Sequence, residues 1–145
     1  MEIYTIGFTK KSAAKFFETL KRAGIKCLID IRLNNQSQLA GFTKQEDLRY
    51  FLEKICKIKY IHDIRLAPTK ELIQEYREKK MSWEVYENRF IELLKERQII
   101  KSISKNQFNR PTVLLCSEDK PDYCHRRIVA EFICRDWDNV SIVHL

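Results

Sequence analysis

Two stretches of this chain are apolar almost without a break. Thr112–Cys116 reads T-V-L-L-C, and Ile25–Ile31 is interrupted only by Lys26 and Asp30. A strand with one face in water alternates polar and apolar residues, whereas a strand covered on both faces does not. Both stretches therefore read as inner strands of a parallel sheet. Such a sheet needs helices on both faces.

The remaining patterning supplies them. Glu2–Gly7 (E-I-Y-T-I-G) alternates like a strand, and Phe16, Phe17 and Leu20 then recur at helical spacing between Ser12 and Gly24, a C′ glycine. With Ile25–Ile31 this makes a βαβ unit. Residues 32–42 have loop chemistry. Thr43 and Glu46 have the spacing of a capping box, which predicts a helix with Leu48, Phe51, Leu52 and Ile55 on one face. Ile58–Ile61 reads as a short strand, residues 62–68 as a loop, and Leu72, Ile73 and Tyr76 as a short helix. Ser82 is expected to cap a longer helix whose stripe, Trp83, Tyr86, Phe90, Leu93 and Leu94, reads as core. A connector over 101–111 leads into Thr112–Cys116, and Ser117–Pro121 reads as a turn. A helix from near Asp122 then turns Ile128, Val129, Phe132 and Ile133 inward, and Val140–Val143 closes the chain as a strand. With no repeat or linker, the expectation is a single α/β domain over residues 1–145, its mainly parallel sheet flanked by helices.

Composition narrows the classes. The chain is 44% hydrophobic and 32% charged with 3 Gly and 3 Pro, which excludes collagen-like and disordered chains. No apolar run approaches the ~20 residues of a membrane span, so no membrane partner is expected. Residues 1–30 lack the pattern of a secretory signal. The five cysteines, at 27, 56, 116, 124 and 134, are odd in number and form no C-x-x-C pair, which reads as a reduced, cytoplasmic protein. Cys27 and Cys134 lie in apolar segments and read as small buried hydrophobes. The net charge of +7 favours anionic partners.

In open α/β sheets, ligands bind beyond the carboxyl ends of the strands. Three polar stretches reach that edge: Gly7-Phe8-Thr9, Asp30-Ile31-Arg32, and Cys116-Ser117-Glu118 running on to Cys124-His125-Arg126. In the predicted first helical turn, beside His125, Arg126 and Arg127, Cys124 is expected to have a depressed pKa and to serve as a nucleophile. The same helix terminus also suits an anion cradle gripped by Arg126. The plainer alternative is a buried structural cysteine beside a capping histidine. Cys116 and Glu118 point the same way in extended backbone, so Glu118 suits proton transfer beside the thiols; its alternative is a turn cap or a partner for Arg126. Asp30 and Arg32 share a face, either as an internal ion pair or as an oriented anion-binding arginine. Cys116, Cys124 and His125, with Glu118 or Asp30, have the donor types for zinc. They lack its short ligand spacings, so neither a metal nor another cofactor is expected.

Thr5-Ile6-Gly7, Asp30-Ile31-Arg32-Leu33-Asn34, Ser37, Gly41-Phe42-Thr43-Lys44, Leu114-Leu115-Cys116-Ser117-Glu118 and Cys124-His125-Arg126 occur in that order. Together they resemble the family catalogued as domain of unknown function 488, from the first strand to the last. The resemblance implies a small α/β domain with a shared polar site and brings no reaction with it. Members often read T-I-G-H-S where this chain has Phe8 and Thr9, and often have Pro at the position of Asn35. A base supplied from the first strand is therefore missing here.

The first functional expectation is an enzyme for a small anionic, nucleotide-like ligand. Cys124 is its nucleophile or redox thiol, with Cys116 alongside, and His125 and Glu118 move protons. Arg32 and Arg126 bind the anion with Thr9, and Asp30 orients Arg32. The rival is a noncatalytic module that binds nucleic acid, or another anionic partner, through the same basic edge.

Overall fold

The computed structural model describes residues 1–36, 41–118 and 121–145. Ser37 of the loop motif and residues 119–120 of the expected turn lie outside the described residues.

Five strands, β1 (Glu2–Gly7), β2 (Cys27–Asp30), β3 (Lys59–His62), β4 (Thr112–Cys116) and β5 (Ser141–His144), form one sheet in the order β3-β2-β4-β1-β5. Every pairing is parallel. All residues of β2 and β4 are buried, as their almost wholly apolar sequences lead one to expect, Asp30 and Thr112 included. The register sets Gly7 beside Cys116, Leu115 beside Asp30 and Asp30 beside His62, which brings the carboxyl ends of four strands to one edge.

Among the described residues, six α-helices cover the sheet: α1 (Ala13–Arg22), α2 (Gln45–Tyr50), α3 (Lys70–Arg77), α4 (Trp83–Glu96), α5 (Ile99–Ser102) and α6 (His125–Asp136). Ser12, Thr69 and Ser82 cap α1, α3 and α4, each accepting from the N–H three residues on. One core, with Phe16, Leu20, Leu48 and Leu52 of the α1–α2 side, fills one face. A second, with Leu72, Phe90, Leu94, Val129 and Ile133 of α3, α4 and α6, fills the other. The connections leaving β1 and β2 thus lie on one face and those leaving β3 and β4 on the other. The direction of crossover changes on both sides of β4, and such switch points are where open α/β sheets form their crevices.

Three local expectations are corrected. Thr43 does not cap α2: it is buried in the 3₁₀ turn Gly41–Thr43, its carbonyl accepts from Arg32 Nη2 at 2.7 Å, and Lys44 takes the cap position without a side-chain bond. After α2 the chain opens into a π turn, Phe51–Cys56, in which the Lys57 N–H reaches back five residues to the Leu52 carbonyl. That wider turn breaks the 3.6-residue stripe and leaves Ile55 61% exposed. Finally, α6 starts at His125 rather than near Asp122, because Cys124 is extended (φ −134°, ψ 139°) and closes a turn onto the Pro121 carbonyl. Among the described residues, no helix is long and apolar enough to cross a membrane.

The loop leaving β4 crosses the end of β1 so closely that a Cβ on Gly7 would fall on the Glu118 carbonyl and against the Arg126 guanidinium. Gly7→Ala is expected to force that loop away and to cost about 1–3 kcal/mol, as overpacking does, read as a lower urea midpoint at unchanged m-value.

Candidate functional site

At the carboxyl edge of β4 lies a cleft of about 710 Å³, bounded by Arg32 and Asn34 after β2, by α3, by the start of α4, and by Cys116, Ser117, Glu118, Tyr123, Cys124 and His125. A shallower hollow of about 760 Å³ lies at the opposite edge around Met1, Trp137 and Val140, and it brings together neither a thiol pair nor an imidazole.

Three donors meet at the floor of the cleft. The ligand atoms of Cys116, Cys124 and His125 all lie within 4.8 Å of one another. Cys116 Sγ is 3.3 Å from His125 Nδ1, and His125 Nε2 is 2.8 Å from the Ile31 carbonyl. A carbonyl only accepts, so Nε2 carries a proton and Nδ1 is the ring nitrogen turned toward the sulfurs. The edge of the imidazole lies against buried Phe90, 5.8 Å between ring centroids.

The lowered pKa belongs to the other sulfur from the one expected. Burial pushes the Cys124 thiol well above its ordinary range, and the neighbouring Cys116 charge adds to the rise. Burial also acts to raise Cys116, but it is outweighed by the hydrogen bond from the Cys124 thiol, the Glu118 N–H, the Arg126 charge and the Ser117 N–H, which carry Cys116 below its ordinary value. Two adjacent buried sulfurs cannot both ionise cheaply, and the one facing the N–H groups takes the charge. The expected depression at Cys124 is therefore corrected. Cys124 is the N-cap residue rather than part of the first helical turn, and its sulfur donates to its neighbour.

The two arginines expected to grip an anion face inward. Arg126 is fully buried, and its Nη1 donates to the Glu118 carbonyl beneath the loop after β4. Arg32 borders the cleft but is only 3% exposed. Its Nε and Nη2 each donate to Asp30 at 2.8 Å, and its guanidinium stacks 5.2 Å from the ring of Phe8. Asp30 also accepts from the Tyr60 hydroxyl at 2.6 Å, and Asn35 donates to the Tyr60 oxygen at 3.2 Å. Asp30 and Arg32 are thus the internal pair that the sequence left as one alternative. Thr9 lies outside the cleft lining and fastens β1 to the β4 loop, its hydroxyl donating to the Ser117 carbonyl at 2.6 Å. Glu118 is exposed at the mouth of the cleft. Cys27 is buried as expected, whereas Cys134 is only half-buried.

Sequence reasoning passes over the outer wall. Lys70 and Arg77 are exposed on α3 and seven residues apart, so two helical turns place both along the cleft. Their spacing is the signal that could have found them. The helical stripe assigns Trp83 and Tyr86 to the core. Tyr86 is indeed buried, but Trp83 also borders the cleft and meets the 68%-exposed Tyr123 edge-on at 5.4 Å.

The model of the family described as "Domain of unknown function DUF488" matches residues 12–133. The chain belongs to this family. The match spans β2 to β4 and most of α6, while the T-I-G strand and the last strand lie outside it, so the likeness read from the first strand to the last is wider than the family match. No curated protein and no solved structure matches the chain significantly. In this DUF488 protein the segment that departs from T-I-G-H-S puts Phe8 over Arg32, so an aromatic face covers the buried guanidinium.

Two outcomes are expected. Asp30→Asn leaves the Arg32 charge buried without its counter-ion and is expected to cost about 3–5 kcal/mol, measured by urea unfolding. In chelator-treated protein below pH 8, iodoacetamide is expected to modify Cys116 before Cys124, with peptide mapping as the readout. Cys124 should gain reactivity only as the solution becomes alkaline.

Proposed function

We propose that this DUF488 protein is an enzyme acting on a small anionic, nucleotide-like ligand bound in the β4-edge cleft. The observation that carries the reading is the approach of Cys116 Sγ to His125 Nδ1 at 3.3 Å, on the floor of a cleft whose outer wall is cationic. A thiol of lowered pKa paired with an oriented imidazole is a reactive group, and the usual reason to keep one at the bottom of a cleft is to present it to a ligand. Cys116 takes the role first expected of Cys124, Cys124 stabilises it, and His125 is its proton partner. Glu118, at the mouth, exchanges protons with the ligand. The three-residue floor has free thiols that must stay reduced, which suits the cytoplasm.

Recognition of the anion shifts from Arg32 and Arg126, which hold the edge together from inside, to Lys70 and Arg77 on α3. The ring faces of Trp83 and Tyr123 offer a stacking surface for a base beside those charges. The test uses chelator-treated protein, iodoacetamide, and adenosine or adenosine monophosphate. The monophosphate is expected to slow labelling of Cys116, and adenosine to do so much less. Lys70→Ala and Arg77→Ala each remove a charge-assisted hydrogen bond worth about 1.5–3 kcal/mol, so protection of either variant should need roughly tenfold or more of the nucleotide. If neither the monophosphate nor inorganic phosphate slows Cys116, the reading fails. Salt-dependent binding of mixed-sequence RNA without protection of Cys116 would favour the noncatalytic nucleic-acid module instead.

A further inference from the structure

The donor set at the floor of the cleft has a second property. A tetrahedral zinc ion with Zn–S near 2.3 Å and Zn–N near 2.0–2.1 Å sets its ligand atoms about 3.6–3.8 Å apart. The sulfurs of Cys116 and Cys124 and Nδ1 of His125 all lie within 4.8 Å of one another, with the Cys116–His125 pair at 3.3 Å. Side-chain movements of no more than about one ångström would set them around one ion.

The orientation of His125 is an independent pointer. Metal-binding histidines characteristically donate their other ring N–H to a carbonyl or carboxylate, which fixes the tautomer and aims the free nitrogen at the metal. His125 does this with the Ile31 carbonyl at 2.8 Å. The carbonyl follows β2 while both sulfurs come from the β4–α6 connection, so separate parts of the fold hold the donors and their support. Backbone N–H groups of Ser117 and Glu118 and the Arg126 charge lie around Cys116 and offset the charge of a thiolate ligand.

We propose that Cys116, Cys124 and His125 form a three-ligand site for one zinc ion, its fourth position open to the cleft. Two thiolates and an imidazole are a soft donor set that selects zinc over magnesium or calcium. Three protein ligands with an open position is the arrangement of catalytic rather than structural zinc. The inference rests on reading the same three residues as the reactive floor; with zinc bound, Cys116 and His125 would serve as ligands rather than as nucleophile and proton partner, and the ion would supply a Lewis acid for an oxygen of the anionic ligand. It replaces the expectation of no metal, which rested on sequence spacing. The spacings of familiar zinc motifs come from donors on one local hairpin or helix. Here the fold brings Cys124 and His125, at the start of α6, beside Cys116 at the end of β4.

The experiment is cobalt and zinc titration of tag-free, chelator-stripped full-length protein under reducing conditions. One equivalent of cobalt should give thiolate-to-metal charge-transfer absorption and the intense visible bands of tetrahedral cobalt, and zinc should displace it. Cys116→Ser, Cys124→Ser and His125→Ala should each weaken zinc by more than the roughly 10- to 100-fold typical of losing an outer-shell partner. Cys56→Ser and Cys134→Ser should leave the affinity unchanged. Should a ligand variant fail to fold, X-ray absorption of the zinc-loaded wild type counts the scatterers, and two sulfurs with one imidazole are expected. Absence of a stoichiometric site, or a different scatterer count, overturns the proposal. Zinc binding without nucleotide protection of Cys116 would remove only the functional reading above. Nucleotide protection without zinc binding would remove only the metal.

Discussion

The carboxyl edge of the sheet depends on a buried ion pair. Asp30 and Arg32 are almost without solvent exposure, and burying such charges is tolerable only when each is matched by a partner of good geometry. Asp30 meets the Arg32 guanidinium through two bonds and takes a third from Tyr60 on β3. Arg32 reaches beyond it to the Thr43 carbonyl. These bonds leave the intervening backbone little freedom. The Ile31 N–H is held by the Leu115 carbonyl, the Ile31 carbonyl is directed to His125, and the Arg32 carbonyl to His62. Asp30 at the end of β2 and the two residues after it thereby fix β3, β4 and α6 relative to one another.

The cleft chemistry follows from that anchoring. His125 has a defined tautomer because the Ile31 carbonyl is held where it can accept Nε2–H, and only then does Nδ1 face the sulfurs. Arg126 completes the frame from below. A fully buried arginine that bonds the Glu118 carbonyl clamps the loop after β4 against Gly7, and the small size of Gly7 permits the close approach. The carbonyl of Ser117 is tied in turn by the N–H groups of Phe8 and Thr9 and by the Thr9 hydroxyl. Residues that read as ligand-binding in the sequence thus act as supports, and the exposed charges of α3 line the cleft instead. The division is physically sensible, since a support must be rigid and desolvated whereas a rim must be wet enough to admit an anion.

Several site residues were legible in the sequence, but their roles were not. Cys116, Glu118, Cys124 and His125 do converge on one cleft, because each follows a strand or opens a helix at the same edge. The inward turn of Arg32 and Arg126 was not legible, since an arginine after a strand can point either way until its partner is known. Tyr60 and Thr43, which help hold Arg32, lie 28 and 11 residues further on. The outer wall was missed for a different reason: α3 is short, and no local pattern says which strand edge a short helix will cover.

By itself the sequence determined the order of the strands and of the helices other than α5, the burial of β2 and β4, and the edge at which chemistry-bearing residues gather. Those features depend on periodicity and on apolar runs, which are properties of neighbouring residues. The tertiary structure alone decided which sulfur has the lowered pKa. A helix terminus in the sequence favoured Cys124, but in the folded chain burial holds Cys124 as a thiol, while backbone N–H groups, Arg126 and the Cys124 thiol itself favour charge on Cys116. Desolvation and hydrogen bonding depend on what packs around an atom in three dimensions, and no spacing along the chain records it.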